Sequence, residues 1–209
     1  MSKYIFSIIT LFVLSFQTFA QTAQEWLDQV NAVYSKTPTY YIKFDIKENG
    51  QNKIETGEVY AAKEKYNLNA MGINQIYDGK TLYTIAKNDK EVTVSLPEKD
   101  SDDLLTPVKV LGMYKSGYNL ALDKTNSIDG KKIQYVKLTP KDTKSDTQYI
   151  LVGINTSNKT LYQFQEFSKN GSSRTITVKD YIENLIIPRA LFKFDKSKFE
   201  NDGYVVTQL

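Results

Sequence analysis

From Tyr40 to Lys47 apolar and polar positions alternate one by one: Tyr40, Ile42, Phe44 and Ile46 against Tyr41, Lys43, Asp45 and Lys47. Period two is the signature of a strand with one buried face. The same pattern, rich in Tyr, Ile, Val, Thr and Phe, predicts strands over 53–62, 65–71, 74–78, 81–86, 91–96, 118–123, 132–139, 147–155, 160–168 and 173–182. Turn signals separate them at Asp78-Gly79, Asp129-Gly130, Asn170-Gly171 and Asp202-Gly203. Asn49-Gly50 is expected to close a hairpin with two positive-φ positions. Short strands at this spacing imply an antiparallel sheet, sandwich or barrel.

Three stretches break the rhythm. Residues 22–36 have helical spacing, with Trp26, Leu27, Val30, Val33 and Tyr34 apolar, Thr22 as cap and Glu25 as its capping-box partner. Residues 100–115 also read as a helix, with Thr106-Pro107 at its start and Leu104, Leu105, Val108, Leu111 and Met113 on its apolar side. The third, Asn184 to Leu191, is apolar on nearly all sides and precedes an expected last strand pair around Phe192–Phe194 and Tyr204–Val206. The expected fold is therefore mainly β (α+β): an unclosed antiparallel barrel, or strongly curved sheet, of about ten or eleven strands covered by a lid of short α-helices. Such a lid leaves an apolar interior, which either packs solid or holds something apolar.

The first twenty residues read as a secretory signal peptide. Lys3 supplies the charge, residues 4–14 the apolar run, and Thr18-Phe19-Ala20 the small residues before cleavage at Gln21. Removing 20 of the 209 residues leaves 189, expected to form one domain over 21–209. With 27 Lys and Arg, less Lys3, against 24 Asp and Glu, the mature chain carries about +2, which argues against a nucleic-acid partner.

Candidate chemistry is narrowed by two absences: the sequence has no His and no Cys. That excludes a Ser-His-Asp triad, a thiol nucleophile and a His- or Cys-ligated zinc. The acidic cluster Glu98, Asp100, Asp102 and Asp103 is the best candidate for carboxylate catalysis or a cation, but acids just before a helix are explained by its dipole. Asp123 to Gly130 lacks the calcium-loop spacing and reads as a turn. The 15 Tyr and 10 Phe suit strands and point to no ligand by themselves.

Between residues 57 and 83 the chain becomes more specific. Gly57-Glu58-Val59-Tyr60 leads through Lys63-Glu64-Lys65-Tyr66 to Tyr77-Asp78-Gly79-Lys80-Thr81-Leu82-Tyr83. This stretch resembles the periplasmic outer-membrane lipoprotein carriers, the LolA-like family. Thr106-Pro107-Val108-Lys109-Val110-Leu111 is similar to that family's Thr-Pro-led lid helix, and Phe192-Lys193-Phe194 to its closing Phe-x-Phe strand. The order of elements agrees as well.

The resemblance implies an unclosed barrel with a helical lid that binds the acyl chains of lipoproteins and escorts them across the periplasm. It implies acylated lipoproteins as partners, with an inner-membrane lipoprotein-releasing transporter and an outer-membrane acceptor, a monomer, no cofactor, no metal and no enzymatic activity. Where the family has a basic residue followed by Pro, often Arg-Pro, this chain has Lys63-Glu64, which keeps the charge without the fork of Arg. Lys63 is the lid-latch candidate on this reading. The cavity wall is expected from Ile42, Phe44, Ile46, Val59, Leu68 and Phe164, and the lid from Leu104, Leu105, Val108, Leu111 and Met113. Burying hydrocarbon is worth about 0.8 kcal/mol per CH₂, so a sixteen-carbon chain costs on the order of 12 kcal/mol to leave in water. Three rivals remain: a lipoprotein sensor of the same fold, an enzyme built on the acidic cluster, and a β protein with a solid core.

Overall fold

In the computed structural model, residues 21–97 and 112–209 are described. A helix, α1 (Ala23–Lys36), leads into six strands: β1 (Thr39–Glu48), β2 (Ile54–Ala62), β3 (Lys65–Ala70), β4 (Ile73–Tyr77), β5 (Leu82–Ala86) and β6 (Glu91–Ser95). After a short 3-10 turn at Met113–Lys115 come β7 (Tyr118–Ile128), β8 (Lys131–Pro140), β9 (Thr147–Asn155), β10 (Leu161–Ser168) and β11 (Ser173–Glu183). A second 3-10 turn (Arg189–Phe192), the helix α2 (Lys196–Asn201) and β12 (Val205–Gln208) finish the chain. These twelve strands form one sheet in the order β12-β6-β5-β4-β3-β2-β1-β11-β10-β9-β8-β7. Its ends, β12 and β7, do not meet, so the curved sheet stays unclosed. Neighbours are antiparallel except β12, which runs parallel to β6.

The register sorts side chains onto two faces. Tyr40, Ile42, Phe44 and Ile46 of β1 lie opposite Ala61, Val59, Gly57 and Glu55 of β2, and Val59 lies opposite Leu68 of β3. On the other flank Ile46 is opposite Ile176, Ile176 opposite Phe164, and Phe164 opposite Val152. Directly opposed pairs have Cβ atoms within about 5.5 Å, so these positions fuse into one apolar cluster across the inner face. Gly57 is required there. A Cβ on it would collide with Cε2 and Cζ of the Phe44 ring and would lie 2.9 Å from Ala70 Cβ, so the ring occupies the space that a side chain would need.

The α1 helix seals one end of this cluster. Thr22 caps it by accepting from Glu25 N (3.2 Å), while Glu25 Oε2 accepts from Thr22 N (2.8 Å), completing the capping box. Its buried Ala23, Leu27, Val30 and Tyr34 fall on one stripe, and the helix packs on β7 and β8. Each fully buried large side chain is worth about 1.5–3 kcal/mol. The Tyr34 ring meets Tyr40 at 5.5 Å and Tyr181 at 5.3 Å, both edge to face, and its hydroxyl accepts from Leu161 N (3.2 Å). Tyr114 ties the first 3-10 turn to the helix by donating to Asp28 Oδ1 (2.5 Å).

Two smaller clusters lie on the outer face. Ile133, Tyr135 and Leu151 form one, in which Gly153 makes room for the Tyr135 ring. Ile76, Ile85 and Val92 form the other, covered by Phe194, Phe199, Tyr204 and Val206 of the C-terminal segment. That segment leaves β11 beside β1, where Thr39 Oγ1 donates to Leu185 O (2.8 Å). It then crosses β3, where Asn67 Nδ2 donates to Leu191 O (2.6 Å), and docks β12 on β6.

Several expectations need correcting. There are twelve strands, one of them parallel, because the C-terminal segment contributes its strand across the outside of the sheet. Phe192–Phe194 is not a strand: Phe192 ends a 3-10 turn and Phe194 stacks on Tyr83 at 4.5 Å, filling the outer cluster. The stretch 184–191 covers none of the inner face, and Ile186 is 94% exposed. Asp123–Ile128 is strand, not turn: a bulge between Leu122 and Thr125 lets β7 continue to the tight turn at Asp129-Gly130. At Asn49-Gly50 only Gly50 has positive φ, and the connection to β2 takes five residues. The expected helix at 100–115 falls largely outside the described residues, and its last residues, Met113–Lys115, form the 3-10 turn.

Burial raises the Tyr34 and Tyr40 hydroxyls well above their ordinary ionisation range, with Tyr181 adding to both. A tyrosine held neutral in the fold gives full stability below its unfolded value of 10.0 and loses it as pH rises beyond that. Denaturation midpoints should therefore be level towards pH 9 and fall above pH 10, with a shallower fall in Tyr40→Phe. Gly57→Val should cost about 1–3 kcal/mol by displacing the Phe44 ring. Adding Phe44→Leu should recover part of that loss in a double-mutant cycle followed by urea unfolding.

Candidate functional site

The inner face is the candidate site, since curvature gathers apolar side chains from β8 through β3 there. Ile42, Phe44, Ile46 and Val59 are all buried at 9% exposure or less, and Leu68 and Phe164 pack against them half-exposed. All six wall residues expected from the sequence thus share one cluster. Leu104, Leu105, Val108 and Leu111 fall outside the described residues, as does the acidic cluster at 98–103. Of Met113, the backbone lies in the 3-10 turn that Tyr114 ties to α1.

Exposure along the inner face is uneven, and that unevenness defines the site. Under α1, Val136, Leu138, Ile150, Val152 and Ile154 of β8 and β9 are sealed. Beyond the helix, Phe164, Ile176, Val178, Leu68 and Ala70 keep part of their apolar surface open while still packing on the core. The inner face is thus an apolar trough that is partly open on β10 and β11 and again on β3, and filled between them by the buried residues of β1 and β2. Sequence reasoning missed Ile176, Val178 and Ala70. The signal for the first two was present in the alternation Thr175-Ile176-Thr177-Val178-Lys179, whereas Ala70 is visible only through its place opposite Ile73 and beside Gly57.

Lys63 sits at the rim, in the two-residue turn joining β2 and β3, with φ of 54°. Its backbone N–H donates to Pro38 O (3.0 Å), so the turn is pinned to the α1–β1 connection. A second lysine acts on the helix. Lys159 Nζ lies 3.9 Å from the centre of the Trp26 ring and donates to Thr156 O (2.8 Å). Burial pushes its pKa down, which matches an ammonium partly desolvated on an aromatic face.

The inner face is lined mainly by aliphatic and aromatic side chains. Among the described residues no group of three or more Asp, Glu, His or Cys is placed to hold a metal. No helix among them is long and apolar enough to cross a membrane. The Asp123 side chain accepts from Lys124 N (2.5 Å) within the β7 bulge.

No protein-family model matches the chain, and no curated protein matches it by sequence. Solved structures do resemble it. An uncharacterized conserved protein from Thermus thermophilus overlays 90% of this chain and 99% of its own, with a TM-score of 0.62 and 12% identity. MucB overlays 83% of this chain with a TM-score of 0.52 and 14% identity, and the chain spans 63% of the length of MucB. LolA superfamily protein NE2245 from Nitrosomonas europaea overlays more loosely, with a TM-score of 0.41, 15% identity, and 84% and 99% of the two chains covered. At such identities a likeness carries the fold and not the ligand. The Thermus protein and MucB, at TM-scores above 0.5, share the fold of this chain, whose unclosed antiparallel sheet curves around an apolar face and is crossed at one end by its N-terminal helix.

Proposed function

We propose that this chain is an exported carrier that holds the acyl chains of lipoproteins against its inner face and escorts them to the outer membrane. The observation that supports the reading is the set of partly buried apolar side chains, Phe164, Ile176 and Val178 on β10 and β11 and Leu68 and Ala70 on β3, that pack against one sealed core. An apolar surface of this kind in a water-filled compartment is a cost unless something covers it. Acyl chains recover that cost, since burying a sixteen-carbon chain is worth on the order of 12 kcal/mol. Transport of this kind needs no catalytic group.

On this reading residues 1–20 are the signal peptide, removed before Gln21, and 21–209 are one carrier domain of the periplasm. Leu104, Leu105, Val108, Leu111 and Met113 supply the lid and Lys63 its latch. An inner-membrane releasing transporter loads the carrier and an outer-membrane acceptor empties it.

Native mass spectrometry of protein purified from the periplasm without detergent tests the reading. Bound acyl chains or an acylated lipoprotein are expected. Leu68→Asp with Phe164→Asp should remove that mass and weaken an apolar fluorescent probe at least about tenfold, while the melting temperature moves by only a few degrees. A ligand-free wild-type mass, together with refusal of the probe, would overturn the carrier and leave the sensor or solid-core alternatives.

A further inference from the structure

The inner face is not apolar throughout. One row can be followed strand by strand through directly opposed residues: Ile42 of β1, Val59 of β2, Leu68 of β3, Gln75 of β4, Thr84 of β5 and Thr93 of β6. At β4 it changes from hydrocarbon to amide and hydroxyl. Strands lie about 4.8 Å apart, so the polar part extends over roughly 10 Å beyond Leu68. The parallel row through Tyr66, Tyr77 and Leu82 ends in the same way at Ser95. The Tyr66 hydroxyl reaches Gln75 Oε1 at 3.4 Å, which orients that amide. Gln75, Thr84 and Thr93 are half-exposed, and among the described residues the two threonine hydroxyls make no hydrogen bond.

This is not the outer solvated side of the sheet. The residues alternating with these, Ile76, Ile85 and Val92, are the ones buried under the C-terminal segment. Among the described residues, the nearest acids on the inner face are at its margins: Glu91, opposite Ala86, and Glu55, paired with Lys53 Nζ at 2.5 Å. Gln75, Thr84 and Thr93 themselves carry no charge.

We propose that this end of the trough is a head-group subsite: it takes the uncharged, hydrogen-bonding head of an amphiphile whose hydrocarbon starts on the partly open Leu68 and Ala70 of β3. The inference rests on the trough being an acyl-binding face and adds which molecules it prefers. Hydroxyls and a carboxamide both donate and accept, so they satisfy a neutral head bearing hydroxyls or amides. They cannot neutralise a charged one, whose desolvation then goes uncompensated.

The test is displacement of an apolar fluorescent probe from the purified chain by four amphiphiles sharing one sixteen-carbon chain. These are 1-palmitoylglycerol, N-palmitoylglycinamide, palmitate and hexadecyltrimethylammonium. The glycerol ester, the amide or both should displace about tenfold more tightly than either charged compound, and which one leads identifies the head as hydroxyl or amide. The variant Gln75→Leu, Thr84→Val, Thr93→Val should erase that preference while probe affinity stays within about twofold, which also shows that the trough is intact. Equal or tighter binding of the charged compounds, or a preference that survives in the variant, overturns the head-group subsite and leaves the acyl-binding face standing. If the wild-type chain binds neither the probe nor any amphiphile, the acyl-binding reading itself fails.

Discussion

An antiparallel sheet with one apolar face must cover that face, and this sheet does not close on itself. Its end strands, β7 and β12, lie at opposite margins, so every inner side chain depends on curvature and on whatever is laid across the opening. The α1 helix covers only the β7–β8 end. Near it the inner residues Val136, Leu138, Ile150, Val152 and Ile154 of β8 and β9 are buried, whereas Phe164, Ile176 and Val178 on β10 and β11 are only partly so.

The aromatic contacts keep that boundary fixed. Tyr34, Tyr40 and Tyr181 come from α1, β1 and β11, so their edge-to-face contacts tie the helix to the middle of the sheet. Lys159 over Trp26 does the same from the β9–β10 turn. Edge-to-face ring pairs are worth about 0.5–1.5 kcal/mol each beyond their buried area, enough together to hold a short helix at one angle.

Much of this was legible in the sequence because period-two alternation depends only on which face is wet. The strands from β1 to β6 and from β8 to β11 fall within a few residues of the predicted runs, and Thr22 and Glu25 form the expected capping box. The same alternation placed Ile42, Phe44 and Ile46 on one face of β1, where the register has them. What failed had more than one cause, and for the C-terminal segment it was a partner far away in the chain. Phe192-Lys193-Phe194 has strand-like alternation, yet the rings satisfy themselves against Tyr83 and Phe199 on the outer face. The β7 strand hides a bulge at Asp123-Lys124, which two charged residues disguise as a turn. The turn at Lys90 carries no turn signal because lysine at positive φ is uncommon, and only the surrounding ladders impose it. The change from Leu68 to Gln75 and Thr84 is invisible until register aligns three strands.

The parallel pairing of β12 with β6 also shapes how the molecule reaches its folded state. Strand β6 is finished early, but Val205 and Val206 arrive to cover its edge only after β7 to β11 have been added. Until then Glu91–Ser95 presents an unpaired ladder, and Ile76, Ile85 and Val92 lack their cover. Closing so long a loop is slow, and an open ladder beside apolar surface is where chains stick to one another. The last residues therefore act as a delayed seal against self-association, and the interval before they dock is the vulnerable part of this chain's folding.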